Sequence, residues 1–205
     1  MDNSLFFSNE QTPVERNFNA QLLGYCNFLY SQEGRFYHNF DHITEMIILG
    51  KETFHLTFQQ YLAILFHDIV YDAKSHINEE NSIQRMFHLI SSLRGPMELS
   101  DLQFFGVVAA IIKDTKGHFY PTLEASRAVL DLDLERLSRP LAEVQWFTDL
   151  IRQEYAHVSD EDFNRGRKEF YRKFLSIDPV FSTDYGRRVW EPKAKENVQI
   201  LLNMM

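Results

Sequence analysis

Apolar residues recur every three to four positions along most of the chain, which is the spacing that turns one face of an α-helix toward a core. No segment alternates between apolar and polar residues for long enough to indicate a strand. No repeat and no long linker divides the sequence. The pattern therefore predicts an all-α protein, a single-domain helical bundle that takes in residues 1–205.

Capping residues and glycines set the expected ends of the helices. Capping-box spacings at Thr12, Thr57 and Ser100 predict three helix starts, and Asn78 is expected to cap a fourth helix. Gly50 is expected to end the second helix. The predicted helical segments are, in chain order, 13–31, 38–49, 57–68, 78–92, one from 100 toward 114, a short one that contains 123 and 129, 131–137, 140–155, 160–177 and 192–205.

Two clusters of histidine and aspartate carry the candidate chemistry. His67 and Asp68 follow directly on the apolar run 61–66, so they are expected near the end of a buried helix. His38 and His42 lie four residues apart and are expected to share one face of the preceding helix. Neighbouring residues on a regular helix point about 100° apart, so helical spacing permits His67 and Asp68 to converge without predicting it. Imidazole with carboxylate suits zinc, iron or manganese better than calcium, and we expect a divalent-metal site.

Several motifs resemble a known family. The segments Tyr37-His38-Asn39-Phe40-Asp41-His42 and Leu65-Phe66-His67-Asp68 resemble the HD-domain superfamily of metal-dependent phosphohydrolases. Segments 78–82, 115–118, 130–134 and 151–155 resemble, in that order, a bacterial-type subfamily of predicted HD phosphohydrolases without an assigned substrate. The similarity extends over nearly the whole chain, and it implies a helical bundle of the HD-domain type.

The resemblance implies a ligand set. It makes His42, His67 and Asp68 metal ligands and Asp133 the distant fourth ligand, with Asp131 as the competing choice. Either acid could instead cap a helix N-terminus. His38 resembles a histidine that serves as a general acid in cyclic-nucleotide phosphodiesterases, and its alternative is an imidazole that contacts a metal ligand and not the metal, or a surface imidazole.

Other polar residues have weaker assignments. Glu79 lies where some HD hydrolases have a catalytic acid, but it would also favour the N-terminus of its own helix. His118 is a candidate for a second metal or a phosphate, or for a helix C-terminal cap. Asp72 and Arg152 are weak candidates for substrate binding, and Arg152 with Glu154 forms either a pair within the site or a surface pair. The remaining histidines are expected to be packing or surface groups; they are His55, His76, His88 and His157.

Charge and cysteine content narrow the class of protein. A net charge of −8 argues against broad nucleic-acid binding, and the basic segment 165–173 is expected mainly as a solvated helix face. The single cysteine, Cys26, excludes an intramolecular disulfide and is expected to be buried. The first eight residues lack the features of a secretory signal, and no apolar run approaches the ~20 residues of a membrane span. We expect a cytoplasmic protein, whose last helix either packs across the bundle or forms a homodimer contact.

The function expected from these features is the hydrolysis of a small phosphoester, such as a nucleotide, by attack of metal-bound hydroxide on phosphorus. The expected cofactor is one or two divalent ions per chain, of manganese, iron, cobalt, zinc or magnesium. Two other classes stay open. Some HD proteins resemble diiron oxygenases, and a non-catalytic regulatory module would keep the metal and bind a nucleotide without turning it over.

Overall fold

The computed structural model describes residues 13–205, with side chains from Asn19 onward. Over that range the chain forms nine α-helices and no strand. The helices are α1 (Pro13–Tyr30), α2 (Phe40–Thr53), α3 (Phe58–Phe66), α4 (Asn78–Arg94), α5 (Leu99–Thr115), α6 (Ser126–Leu134), α7 (Leu141–Glu154), α8 (Asp160–Ser176) and α9 (Glu191–Met204). The all-α prediction is confirmed. The predicted capping box at Thr12 and the first eight residues lie outside the described part of the chain.

Helix α3 lies at the centre of the bundle, where α2, α5 and α6 pack against it. All six residues 61–66 are buried, and each fully buried aliphatic side chain there contributes about 1.5–3 kcal/mol to folding. Thr57 begins this helix as predicted. Its side chain accepts a hydrogen bond from the Gln60 backbone N–H (3.2 Å), while Gln60 Oε1 accepts one from the Thr57 N–H (2.9 Å). The cap and the buried run together place His67 at the inner end of α3.

Helix α2 differs from its prediction at both ends. It begins at Phe40, because Asn39 Oδ1 accepts hydrogen bonds from the backbone N–H groups of Asp41 (3.0 Å) and His42 (3.2 Å). His38 therefore precedes the helix, and the prediction that it shares a helical face with His42 is wrong. At the other end α2 continues to Thr53, so Gly50 does not stop it.

Gly50 instead allows α2 to pack closely against its neighbours. A Cβ atom at this position would lie 2.5 Å from Leu56 Cδ1 and 2.8 Å from Leu132 Cδ1. Leu132 belongs to α6, the helix that also carries Asp133. A larger residue here would force the Leu56 and Leu132 side chains to shift, so tertiary packing and not helix termination accounts for the glycine.

Three further predictions of helix starts need correction. Asn78 is the first residue of α4 and not its cap; its side chain bonds to both the backbone N–H (3.0 Å) and the carbonyl (2.9 Å) of Asp72 and so closes the preceding loop. The α5 helix starts at Leu99 after Glu98, one residue before the predicted Ser100 cap. The short helix predicted around Leu123 begins only at Ser126.

The last helix packs across the bundle. Helix α9 lies against α8 and against a 3-10 turn, Glu135–Ser138, that follows α6. Asn197 is buried there, and its side-chain amide donates to the carbonyls of Leu137 (2.9 Å) and Arg139 (2.7 Å). This contact is one of the two roles that the sequence left open for the helix.

Cys26 is a free, buried thiol in α1, as predicted. Burial raises the pKa of this thiol well above its ordinary value. The side chain is therefore part of the core, where thiolate chemistry is disfavoured.

None of the helices in residues 13–205 combines the length and the apolar character that crossing a membrane requires.

Candidate metal centre

Four parts of the fold bring imidazole and carboxylate groups together. Helix α2 supplies His42, the end of α3 supplies His67 and Asp68, α6 supplies Asp133, and the loop after α5 supplies His118. Asp133 Oδ1 lies 3.1 Å from His42 Nε2 and 3.8 Å from His67 Nε2. One donor atom from each of His42, His67 and Asp133 lies within 4.8 Å of the other two. This buried group has the spacing and the donor types to hold a metal ion.

Asp68 lies beside this group, next to His67, because α3 ends just before it. The His67 N–H still completes a helical bond to the Ala63 carbonyl (2.9 Å), but Asp68 lies in the turn that follows. The 100° separation of neighbours on a regular helix therefore does not apply to this pair. Asp68 Oδ2 lies 2.9 Å from His67 Nε2.

Arg35 stabilises this turn through hydrogen bonds from a distant part of the chain. One guanidinium nitrogen donates to the carbonyls of Asp68 (2.7 Å) and His38 (3.0 Å), and the other donates to the carbonyl of Ile69 (2.8 Å). Local patterns in the sequence do not indicate this role, since Arg35 and Asp68 lie 33 positions apart. Arg35 thus ties the segment with His38 to the segment with Asp68.

The orientation of the His67 ring leaves one nitrogen for a cation. Nδ1 lies 2.9 Å from the Ile64 carbonyl, which can only accept, so Nδ1 carries a proton. Nε2 is buried beside two carboxylates, yet it is not aligned to make a hydrogen bond with either. Histidines that bind metals are commonly oriented in this way, with the far nitrogen donating to a carbonyl. An ion among these groups would satisfy the buried nitrogen, and the residues present fit a divalent metal.

Asp133, and not Asp131, lies among the histidines. Asp133 presents Oδ1 to His42 and Oδ2 to His118 Nε2 (2.9 Å). Asp131 points to the opposite side of α6, since residues two apart on a helix differ by about 200°. There it accepts hydrogen bonds from the backbone of Ser182 (2.6 Å) and Thr183 (2.8 Å). Both acids lie near the end of α6, so the helix N-cap alternative is wrong for each of them.

The electrostatics of the cluster separate the two buried histidines. Burial lowers the pKa of His42 to about 4, which keeps this imidazole neutral at pH 7. Burial also lowers the pKa of His67, but the negative charge of Asp68, whose Oδ2 lies 2.9 Å from Nε2, outweighs this effect and raises the pKa to about 9. For Asp133, burial raises the pKa, whereas the histidines around it, led by His118, bring it well below its ordinary value. In the protein without an ion, His67 is therefore positively charged at neutral pH.

A second histidine–carboxylate pair lies beside the cluster. His38 Nδ1 is 2.6 Å from Glu154 Oε2, and the other carboxylate oxygen accepts from the backbone N–H groups of Tyr37 (2.8 Å) and His38 (2.9 Å). The Tyr71 ring stacks on the imidazole, with 3.9 Å between ring centroids. Burial raises the pKa of Glu154, but the hydrogen bonds from His38 and the backbone bring it below its ordinary value. Since a carboxylate can only accept a hydrogen bond, Nδ1 donates one to Glu154. Nε2 is the ring nitrogen that Glu154 does not contact.

These groups face a cavity of about 460 Å³. His38, His67, Asp68, Asp133 and His118 line one side of it. The remaining wall mixes polar residues with apolar and aromatic ones; the latter include Tyr37, Leu134, Leu137, Val144, Phe147, Ile151 and Phe170. A space of this size admits a small molecule, with the polar groups placed to orient it.

The weaker candidates divide between the cavity and the surface. Glu79 lines the cavity, with its Oε2 3.5 Å from Lys116 Nζ. Asp72 and Arg152 are not among the lining residues. The Asp72 carboxylate accepts from the Lys74 N–H (2.9 Å), and Arg152 pairs with Asp160 (2.7 Å) and not with Glu154. The expected pairing of Arg152 with Glu154 is therefore wrong.

Sequence reasoning missed several residues of the cavity. Glu154 was noted only as a partner for Arg152, and its contact with His38 spans 116 residues of chain. Arg167 lines the cavity, although segment 165–173 was expected mainly as a solvated face. His76 is a surface group as predicted, but it also lies at the cavity rim. Local spacing carries no signal for any of these contacts.

No family model, curated protein or solved structure matches this chain. The case for the metal centre therefore rests on its geometry, and the HD-type resemblance stays a prediction from the motifs.

Proposed function

We propose that this chain is a metal-dependent hydrolase of a small phosphoester, in a helical bundle of the HD-domain type. One observation carries the proposal. The Nε2 atom of His67, with its ring oriented by the Ile64 carbonyl, lies among His42, Asp68 and Asp133 at the wall of a cavity large enough for a small substrate. Two carboxylates beside this buried nitrogen are costly unless a positive charge lies between them; a proton on Nε2 supplies it in the metal-free protein, and a divalent ion would take its place.

The ion would be held by His42, His67, Asp68 and Asp133. When bound, a divalent metal lowers the pKa of coordinated water and offsets charge on phosphate oxygens. Two imidazoles with carboxylates suit manganese, iron, cobalt or zinc, whereas magnesium prefers an all-oxygen set. Elemental analysis would give the number of ions per chain, one or two.

His38 is the residue best placed to supply a proton. Its Nδ1 donates to Glu154, so Nε2 is free to hold a proton on the cavity side. Two backbone N–H bonds hold the Glu154 carboxylate, and its side chain is 1% exposed. The imidazole is thus oriented without the substrate. In the proposed reaction, this proton passes from Nε2 to the leaving-group oxygen as the bond to phosphorus breaks.

Two cavity residues have supporting roles in the proposal. His118 contacts Asp133 Oδ2 and is about one-third exposed, so it either orients that carboxylate or binds a second ion or a phosphate oxygen. Glu79 is the second candidate acid, and its contact with Lys116 holds it at the cavity rim. His38 takes the main catalytic role because its contacts fix its orientation.

The first test is elemental analysis of the purified chain, followed by a panel of phosphomonoesters, phosphodiesters and nucleotides with manganese, iron, cobalt, zinc and magnesium. His67→Ala and Asp68→Ala should each abolish phosphate release while circular dichroism shows a retained helical fold. His88→Ala is the matched control, because His88 is exposed and does not line the cavity. An unchanged rate in both site variants would remove the proposal.

Two other outcomes would replace the hydrolase with one of the remaining classes. Two irons per chain with oxygen uptake on addition of substrate would indicate an oxygenase. Nucleotide-induced thermal stabilisation without product, across all metals in the panel, would indicate a regulatory binding module. Each result contradicts phosphoester hydrolysis and is observed with the same preparation.

A further inference from the structure

Arg167 is a positively charged side chain of the cavity wall. It projects from α8, and its Nη2 donates to Tyr171 Oη (3.0 Å). Its guanidinium carbon lies 4.8 Å from the Tyr171 ring centroid and 5.1 Å from that of Phe170, so the two rings restrict its motion. Its Nε is buried and has no hydrogen-bond partner. Among residues 19–205, no carboxylate forms an ion pair with this side chain.

The other cations that line the cavity differ from Arg167. Arg136 pairs with Glu45 (3.1 Å), and Lys116 pairs with Glu80 (2.8 Å). Their charges are already partly neutralised by the protein. The free N–H groups of Arg167 are thus the cationic donors of this wall that are left for an external acceptor.

Arg167 belongs to the same cavity as the metal centre. The hydroxyl of Tyr171, which accepts from Arg167, lies 3.4 Å from Thr148 Oγ1. Phe147, which precedes Thr148 in the chain, packs against Tyr37. The Tyr37 ring in turn lies 5.2 Å from the His42 ring. Arg167 thus lines one cavity with His67, Asp68 and Asp133.

We propose that Arg167 is the anion-binding residue of the cavity and that it binds a phosphate group of the substrate through its free N–H donors. The planar guanidinium matches two oxygens of a phosphate, and the flanking rings pre-orient it. The assignment of the phosphate to a substrate rests on the proposed function. The anion site itself rests only on the unpaired guanidinium and its position in the cavity.

Inorganic phosphate is the probe for the first experiment. The full-length chain, treated with a chelator, is titrated with phosphate at constant ionic strength, and binding is followed by calorimetry and thermal stability. Arg167→Lys keeps the charge but loses the planar fork, so phosphate affinity should fall roughly tenfold or more. Arg165→Ala is the matched control, since Arg165 lies on the same helix, is exposed and pairs with Asp162. Wild-type affinity in Arg167→Lys, equal loss in both variants or no binding by the wild type would overturn the proposal.

A second measurement needs no variant. Phenylglyoxal modifies accessible guanidinium groups, and mass spectrometry of the peptides locates the product. Phosphate should slow modification of Arg167 several-fold and leave Arg165 unaffected in the same sample. Modification of Arg167 at the same rate with and without phosphate would contradict the proposed site.

Activity measurements then identify which phosphate is bound. Loss of kcat/KM in Arg167→Lys on both p-nitrophenyl phosphate and a nucleoside bisphosphate would show that Arg167 binds the transferred group. Loss on the bisphosphate alone would show that it binds a second phosphate. Unchanged kcat/KM on both substrates would overturn the inference. Because the phosphate titration and the protection experiment use no turnover, failure of hydrolysis and failure of the anion site are separately visible.

Discussion

At the scale of single residues, the orientation of each ring nitrogen decides what the site can do. His67 and His38 both have one nitrogen committed to an acceptor of the protein, namely the Ile64 carbonyl and the Glu154 carboxylate. Both arrangements leave Nε2 uncommitted: that of His67 lies among the proposed metal ligands, and that of His38 would pass a proton to the leaving group in the proposed reaction. Two histidines of the same cavity thus have different chemistry because their partners differ.

The role of Glu154 as a positioning residue can be tested through the leaving group. Glu154→Gln keeps the size of the side chain but removes the charged acceptor of His38 Nδ1. If His38 donates the proton, kcat should fall by up to about 100-fold with little change in KM. The loss should be large for an alkyl phosphate and small for p-nitrophenyl phosphate, whose leaving group needs little protonation.

Arg152→Gln is the control for this variant, because Arg152 lies on the same helix but pairs with Asp160 outside the cavity. An equal loss of kcat on both substrates in Glu154→Gln would show that Glu154 supports the fold and not proton transfer.

At the scale of helices, Gly50 determines how closely α2 approaches α6. These helices carry His42 and Asp133, so their separation sets the distance between two proposed ligands. In an open helix, replacing glycine by alanine stabilises by about 0.5–1 kcal/mol. At Gly50 the added Cβ would meet Leu56 and Leu132 at 2.5 and 2.8 Å, and the helices must move apart or repack.

We therefore expect Gly50→Ala to lower the free energy of unfolding by about 1–2 kcal/mol and to weaken metal binding. Gly106→Ala is the matched control, since Gly106 lies within α5 with nothing near its Cβ direction, and it should be neutral or stabilising. Urea unfolding and metal titration of both variants decide the point. Equal stability of the two variants would show that the close approach at Gly50 does not constrain the helices.

The sequence predicted most helices because their signals are local. The Thr57 capping box and the apolar run after it lie within ten residues of each other, and both are found as expected. The prediction that Gly50 ends α2 is wrong because the local sequence does not distinguish a glycine that ends a helix from one that makes room for a neighbouring helix. The choice between Asp131 and Asp133 depends on the rotation of α6 about its axis, which nine residues of sequence do not determine.

At the scale of the whole molecule, an ion at this site would join segments that are far apart in sequence. The contact between His42 and Asp133 spans 91 residues. Contacts of this length, including that of His38 with Glu154, depend on the complete fold, which is why sequence motifs indicated the ligand types but not their partners. The same connection predicts that metal binding raises the stability of the entire bundle and not of one helix.

We expect metal binding to release one proton, and this proton should come from His67. At pH 7 the metal-free protein holds His67 protonated, because its pKa of about 9 lies above that pH, and His42 neutral, because its pKa of about 4 lies below. A metal that takes the His67 lone pair displaces one proton, whereas His42 gives up none. We expect affinity to rise about tenfold per pH unit up to about pH 9 and then to level off.

Calorimetric titration of zinc or manganese in two buffers of different ionisation enthalpy measures this proton directly. Release of about one proton at pH 7, shrinking as the pH rises toward 9, is the expected result. Uptake of protons, or a release that does not depend on pH, would show that His67 is not a ligand.

The two carboxylates of α6 have a joint mechanical consequence. Asp133 faces the histidines. On the far side of the same short helix, Asp131 accepts hydrogen bonds from the backbone N–H groups of Ser182 and Thr183. Rotation of α6 that moves one carboxylate must also displace the other from its hydrogen-bond partners. The segment that leads into α9 therefore restrains the rotation of α6, and with it the angle at which Asp133 would meet a bound ion.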